Sequence, residues 1–199
     1  MNLSTPYRIS LKSLLVVLIC FVLAGCFRYQ YNNKSYSTPE EVIAAQAKDY
    51  DEELTRIEPA SERIGGSALI VLPDRRRITE SGFKTGFLVS EAVRKKWVEF
   101  GVEVYDALLE HHVNSIKKRN LFDEVAVQRV YDMNTPQALS DYIIWYNLQN
   151  SERSDYWYFL AKGTAKRKVI HRDKRLPENE WMNSWLNSLY ELAKKNKSP

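Results

Sequence analysis

Cysteine is nearly absent from this sequence, which contains only Cys20 and Cys26. Histidine is also scarce: there are three, and two of them are the neighbours His111 and His112. Neighbours on a helix point about 100° apart and hold one metal ion poorly, so the pair does not predict a metal site. Glycine-rich phosphate loops, Gly-x-Ser-x-Gly and Cys–His arrangements are missing as well. We therefore predict a chain that is not an enzyme and uses no cofactor or metal.

The sequence also lacks an apolar run of the ~20 residues that a helix needs to cross a bilayer. Its longest apolar stretch, Ser13 to Cys26, reads SLLVVLICFVLAGC. The residues before it include Arg8 and Lys12 and no acid. A positive start, a short apolar run and small residues before a cleavage site are typical of a secretory signal. Residues 1–25 are therefore predicted to be a cleaved signal peptide.

The end of that stretch, Leu23-Ala24-Gly25-Cys26, resembles the lipobox of bacterial lipoproteins. The resemblance implies that the Cys26 sulfur receives a diacylglycerol, that Cys26 becomes the mature N-terminus, and that the lipid anchors the chain to a membrane. An ordinary cleaved signal or a signal-anchor, with Cys26 as a plain thiol, is the alternative. Cys20 leaves with the signal, so Cys26 has no disulfide partner in an oxidising compartment, which favours the lipid.

Residue 27 and the net charge bear on location and partners. In enteric-type lipoproteins, an Asp directly after the lipidated cysteine is typical of an inner-membrane retention signal. This chain has Phe27 at that position. We therefore expect the outer membrane, with the protein facing the periplasm; the inner membrane is the alternative. The net charge of +4 is small, and an exported chain does not meet nucleic acid, so no nucleic-acid partner is expected.

Local patterns divide the mature chain. Residues 26–38 are polar and aromatic, which predicts a lipid-anchored tether. Thr38-Pro39-Glu40-Glu41 combines an N-cap hydroxyl, a proline in the first turn and a glutamate three residues after the cap. This capping box predicts an amphipathic helix over residues 39–57. Residues 67–194 are predicted to form the domain, and residues 195–199 a tail.

The predicted domain begins with a short apolar run, Ser67–Leu72, that is typical of a buried strand. A polar loop is expected from Asp74 to Gly86, and the longest helical pattern extends from about Ser90 to Arg119. Three more strands and a last helix are predicted at residues 122–130, 142–148, 157–170 and 177–194. The fold class is therefore α/β, a single two-layer domain whose mixed sheet of about four strands is packed by a long helix and a C-terminal helix.

Three stretches of this domain are similar to small envelope lipoproteins: ALIVLPDRRRI, RNLFDEVAVQ and DYIIWYNLQ. The families are the N-terminal domain of the Tol-system propeller protein, the curli-secretion lipoprotein, the lipoprotein activators of peptidoglycan synthases and the auxiliary lipoproteins of ABC transporters. The resemblance implies a mixed sheet backed by helices and work by contact with protein partners. A separate lipoprotein family is the alternative.

Two groups of residues are candidates for binding. Arg75, Arg76 and Arg77 follow the first strand, where α/β sheets often bind ligands, and arginines there suit phosphates, carboxylates or an acidic partner. Trp157 and Tyr158 lie in a predicted hairpin rich in large rings, and contact surfaces favour such rings. Solvated arginines and core packing of the rings are the alternatives.

These observations predict a lipid-anchored envelope protein that acts as a non-catalytic adaptor or scaffold for an envelope protein partner. The alternative function is a binder or carrier of an anionic amphiphile, a lipid or a cell-wall component, through the loop at Arg75 to Arg77.

Overall fold

A computed structural model gives the fold and describes residues 29–80, 91–132, 140–146, 157–164, 166–171, 173, 175–176 and 180–196. The chain divides into two compact units, one ending at Gln46 and the other beginning at Ala47. Cys26 and the predicted signal peptide lie outside the described residues. Within those ranges, no helix is both long and apolar enough to cross a membrane.

In the first unit, a short hairpin precedes a helix. Strands β1 (Tyr29–Tyr31) and β2 (Lys34–Tyr36) pair antiparallel. Asn32 and Asn33 join them with φ angles of 46° and 60°. Two positive φ values in a two-residue loop are those of a type I′ turn, whose twist matches that of the strands. The segment predicted as a tether therefore contains a hairpin.

Helix α1 (Pro39–Arg56) begins where the capping box predicts. The Glu41 N–H donates to Thr38 Oγ1 at 3.2 Å, and the Thr38 N–H donates to Glu41 Oε2 at 3.3 Å. The two bonds satisfy backbone donors at the helix start. The boundary between the units falls inside α1, so the part from Ala47 onward belongs to the second unit.

The second unit confirms the predicted α/β class. A mixed five-stranded sheet packs with helices. In chain order the elements after α1 are β3 (Ser67–Pro73), α2 (Arg75–Glu80), α3 (Glu91–Arg119), β4 (Glu124–Val130), β5 (Tyr142–Tyr146), β6 (Trp157–Ala161), β7 (Lys168–Val169) and α4 (Trp181–Lys195).

The sheet is built around β3. The strand order is β4-β3-β5-β6-β7, with β3 parallel to β4 and β5, and with β6 antiparallel to both β5 and β7. The ladder with β4 covers all of β3, from Ser67 to Pro73, whereas the ladder with β5 ends at Val71. Pro73 lacks an N–H. Because the β5 ladder has already ended at Val71, Pro73 has no partner in β5, and no ladder hydrogen bond is lost there.

The sheet has five strands rather than the predicted four or so, because the strand expected over residues 157–170 is broken by a turn. Gly163 has a φ of 77°, and the Thr164 N–H donates to the Ala161 C=O at 3.1 Å. The chain then returns beside β6, where Val169 of β7 lies opposite Tyr158.

The polar loop expected after β3 begins instead with a helix, α2. The Arg77 N–H donates to Asp74 Oδ1 at 2.7 Å, and the Ile78 N–H donates to the Asp74 C=O at 3.0 Å. Ile78 is 1% exposed and is the buried residue of this helix. One buried residue gives no periodic pattern, so the hydrophobic spacing of the sequence did not indicate a helix here.

Helices α3 and α4 pack against one face of the sheet. Ile70 of β3 belongs to the main core cluster together with Leu109 of α3 and Leu189 of α4, all three fully buried. Leu69 and Val71 point to the other face, since neighbouring residues of a strand alternate, and belong to a smaller cluster. Both faces of β3 are therefore apolar, as its continuous apolar run predicts.

A glycine pair forms the entry to β3. Gly65 and Gly66 have φ angles of 81° and 75°, and the Gly66 N–H donates to Asp123 Oδ2 at 2.7 Å. Asp141 Oδ2 accepts from the Ser67 N–H at 2.9 Å and from the Ser67 hydroxyl at 3.0 Å, and these bonds lower the pKa of Asp141. A Cβ on Gly66 would lie 2.9 Å from the same Asp141 oxygen. Position 66 therefore requires glycine for two reasons: its φ is left-handed, and Asp141 leaves no room for a Cβ.

We expect Gly66→Ala to lower the free energy of unfolding by about 2–4 kcal/mol, because a left-handed φ costs a side chain about 1–2 kcal/mol and the Asp141 bonds must also shift. Gly163→Ala is the matched control: its φ is 77°, but an added Cβ would have no neighbour within 4 Å. It should therefore lose only about 1–2 kcal/mol. Urea unfolding measures both values, and equal losses would contradict the role of Asp141.

Candidate functional site

The three arginines predicted as a binding cluster lie on α2, at the carboxyl end of β3. Arg75 and Arg76 are exposed, and Arg77 is half-buried. Arg75 Nε lies 3.7 Å from Asp106 Oδ2 of α3, and Arg76 Nε donates to Glu80 Oε1 at 3.1 Å. Two of the three side chains therefore already face a carboxylate of the chain itself.

Glu80 is shared between Arg76 and Tyr131, which follows β4. The Tyr131 hydroxyl donates to Glu80 Oε2, and Arg76 Cζ lies 5.0 Å from the centre of the Tyr131 ring. Hydrogen bonds from Tyr131 and then Arg76 lower the pKa of Glu80, and the bond to Glu80 raises the pKa of Tyr131. The contact joins α2 to the end of β4.

A fourth arginine, Arg129 of β4, belongs to the same network and was not singled out from the sequence. Its Nη1 donates to Asp106 Oδ1 at 2.6 Å, and its Nη2 donates to Glu110 Oε1. Partial burial disfavours the charge, but the bonds to Glu110 and Asp106 outweigh it and raise the pKa of Arg129. The contact ties α3 to β4, so this arginine serves the fold.

Helix α3 is longer than the central strand, and its first third is less buried than the rest. At 1.5 Å per residue, the 29 residues of α3 are about 43 Å long. The seven residues of β3 span only about 23 Å. In agreement, none of the ten residues from Glu91 to Phe100 is buried, whereas buried residues are frequent from Gly101 onward.

A groove of about 620 Å³ lies between α2 and this part of α3. Val98 and Val102 give it an apolar wall, and Thr79 adds a hydroxyl. Its charged lining contains three cations and three carboxylates: Arg75, Arg94, Lys95, Glu91, Glu99 and Glu103. Lining of both signs is suited to a ligand or peptide that also carries both signs, rather than to an anion alone. We define these nine residues as the α2–α3 groove.

The two aromatic candidates of the hairpin lie on opposite faces of the sheet. Trp157 is 4% exposed and packs on Tyr146 and Trp185, so its ring is part of the core and is not available to a partner. Tyr158 is half-buried on the other face, stacked on Trp145 with ring centres 5.5 Å apart, and the Arg167 guanidinium lies over it at 5.0 Å. Tyr158 is the member of the pair that keeps an accessible surface.

Both neighbouring histidines of α3 are buried, with exposures of 2% for His111 and 3% for His112. The His112 ring lies 4.8–5.1 Å from three tryptophan rings, those of Trp157, Trp181 and Trp185. With the proton on Nδ1, it donates to the Leu108 C=O at 2.9 Å. Burial outweighs this bond and lowers the pKa of His112 to about 3. His112 is therefore a neutral core residue.

His111 connects α3 to the second half of α1. Its Nε2 lies 2.8 Å from Glu53 Oε2, and its ring stacks on Tyr50 with centres 4.1 Å apart. The Glu53 side chain is only 14% exposed, so this pair is largely shielded from solvent. Glu53 and His111 are 58 positions apart in the sequence, and the periodic pattern of a single segment does not indicate such a contact. Within the described part of the chain, no three metal-ligating side chains cluster.

Comparison of the chain with protein-family models, with curated proteins and with solved structures gave no match in any of the three. A function for this chain therefore has to be derived from its own residues and their arrangement.

Acid should destabilise the fold through His112. Its folded pKa of about 3 lies below the ordinary histidine pKa of 6.5, so between those values the unfolded chain binds a proton that the folded chain does not. Stability therefore falls as the pH drops from 6.5 toward 3, by about 2 kcal/mol at pH 5 relative to pH 7.5. His112→Phe keeps a ring in the core and should flatten this difference in urea unfolding. An unchanged pH difference in the variant would contradict the assignment.

Proposed function

We propose that this chain is a lipid-anchored envelope lipoprotein that faces the periplasm, with the outer membrane as the expected site. Its α/β domain acts as a non-catalytic adaptor that docks a protein partner in the α2–α3 groove. The proposal depends first on one observation, the motif Leu23-Ala24-Gly25-Cys26 at the end of a short apolar run.

Anchoring gives the adaptor its mechanism. One acyl chain holds a protein only marginally, but each buried CH₂ adds about 0.8 kcal/mol, so the several chains of a lipoprotein hold it firmly. The domain is then confined to a thin layer next to the membrane, which raises its effective concentration against partners in the same layer. An interface of modest affinity is sufficient under those conditions.

The charges of the α2–α3 groove favour a protein partner over an anionic amphiphile. Arg75 is offset by Asp106 and Arg76 by Glu80, and the groove itself is lined by as many carboxylates as cations. A phosphate or carboxylate headgroup would meet these acids as well as the arginines. A peptide segment with charges of both signs can pair with both. The amphiphile remains the alternative function.

The non-catalytic part of the proposal is supported by the position of the histidine pair. Histidine is the residue type whose ordinary pKa best suits acid–base work near pH 7. His111 and His112 are both buried, one against Glu53 and the other among tryptophan rings. Neither reaches the groove lining.

Lipid attachment is tested by exchanging the two cysteines separately. When the full gene is expressed in bacteria supplied with radiolabelled palmitate, the wild-type chain should be labelled and should sediment with membranes. Cys26→Ala should lose both properties, because the acceptor sulfur is gone. Cys20→Ala is the control and should keep both. Equal labelling of the wild type and Cys26→Ala would end the anchoring proposal.

Docking in the groove is tested by reversing one ion pair. Lys95 and Glu99 lie four residues apart on α3, with their charged atoms 4.0 Å apart. The double variant Lys95→Glu/Glu99→Lys keeps the net charge and an ion pair on the helix but reverses the pattern shown to a partner. Co-purification of a defined envelope protein should fall about tenfold, since opposed like charges weaken an interface.

The matched control is the same reversal at Lys48 and Glu52 of α1, an exposed pair with 3.9 Å between charged atoms that is outside the groove lining. Lys48→Glu/Glu52→Lys should leave co-purification unchanged. Docking elsewhere on the chain is indicated if the two double variants behave alike.

A further inference from the structure

The described sheet ends in two edge strands, and only one of them carries obvious protection. β7 has two residues, and a very short edge offers little to pair with. β4 has seven residues without proline or lysine, and its register with β3 is unbroken, so it contains no bulge. Shortness, proline, bulges and charged side chains, lysine above all, are the usual means of blocking an edge. β4 is neither short nor bulged, and its charged residues are Glu124 at one end and Arg129 near the other.

The hydrogen-bond pattern shows which groups of β4 point away from the sheet. The Glu124 N–H and the Val130 C=O both bond to backbone groups at the two ends of β3, so the even-numbered residues of β4 face β3. Because the pattern has a period of two, the odd-numbered residues face outward. These outward residues are Val125, Val127 and Arg129. Across the described ranges, no backbone hydrogen bond reaches their outward N–H and C=O groups.

The side chains of Val127 and Arg129 do not block the outward edge of β4. Val127, at its centre, is 39% exposed and apolar. The guanidinium of Arg129 is held by Asp106 and Glu110 of α3, so it is drawn over the sheet face rather than left free to shield the edge.

We infer that β4 pairs antiparallel with β4 of a second copy of this chain, about a two-fold axis at Val127. This register places Val127 opposite Val127 and Val125 opposite Arg129. Every outward residue then faces another outward residue, which gives three hydrogen-bonded pairs and about six backbone hydrogen bonds. On the other sheet face, Ala126 lies opposite Gln128. The register places no two like charges opposite each other.

A second copy fits the edge because the pairing is self-complementary. A register centred on Ala126 would need Asp123, whose N–H already donates to the Gly66 C=O at 2.8 Å. A register centred on Gln128 would pair Val125 with Tyr131, beyond the end of β4. Only the register at Val127 uses the whole strand.

The resulting assembly closes. A two-fold contact uses the same surface on both copies and leaves none of that surface for a third. Two five-stranded sheets joined in this way end in β7 at both sides, and β7 is too short to extend the sheet. The pairing does not require the lipid anchor, although anchoring would raise the local concentration of both copies. It therefore stands or falls separately from the proposed function.

The occupant of the edge is identified by photo-crosslinking. A benzophenone amino acid is introduced at position 127 of the full chain expressed in intact bacteria, and at position 93 as the control, because Val127 and Val93 are both 39% exposed. We expect an adduct of twice the chain mass from position 127, joined to residues 124–130 of the second copy, and no such adduct from position 93. No adduct, or an adduct with a different protein only, would overturn the inference.

A variant at the same residue gives a second readout on the full chain solubilised in mild detergent. Val127→Pro removes an N–H that points away from β3, so the β3–β4 ladder stays intact while the outer edge is blocked. Sedimentation over a concentration series should show the dimer weakened about tenfold or more. Val127→Lys should weaken the dimer in the same way, and it replaces the proline variant if that variant fails to fold. Val93→Lys should leave the dimer unchanged. A dimer unaffected by both substitutions at Val127 would refute the register.

Discussion

The structure depends on the burial of one strand. β3 is covered on both faces and paired on both sides, and its residues from Ala68 to Pro73 are all buried. These six buried residues in the centre of the sheet fix the positions of β4 and β5, and α3 packs where its buried stripe meets β3. The ends of β3 are set by local chemistry: Gly66 with two aspartates at the entry, and Asp74 as the cap of α2 at the exit. The groove and the open edge of β4 both follow from this placement.

Several charged side chains pair with one another within the molecule. Arg129 holds α3 to β4, Arg76 and Tyr131 share Glu80, and His111 pairs with Glu53, so the residues most suggestive of chemistry stabilise the fold. The two surfaces proposed to contact partners differ from these internal charge pairs. The α2–α3 groove offers charges of both signs beside two valines, and the edge of β4 offers backbone hydrogen bonds. Both features are suited to proteins, and the two surfaces do not share a residue.

Sequence reasoning succeeded where the signal is local. The capping box at Thr38 and Glu41, the buried run of β3 and the long helical pattern of α3 are each contained in one segment. Sequence-based prediction failed where a local turn interrupts a longer pattern and where tertiary contacts decide the burial of a residue. Gly163 breaks an alternating pattern that otherwise continues to Ile170. Trp157 belongs to the core because it meets His112 of α3 and Trp185 of α4, which no spacing in its own strand reveals.

The central proposal is that this α/β domain works at a membrane surface because a single sulfur, that of Cys26, carries lipid. Intact-mass and fragment analysis of the N-terminal peptide, from chain purified out of membranes, tests it most directly. The account predicts a peptide whose first residue is Cys26 and whose mass includes a diacylglycerol and an acyl group on the amine. A mature chain that begins at another residue, or one with an unmodified Cys26, would contradict it.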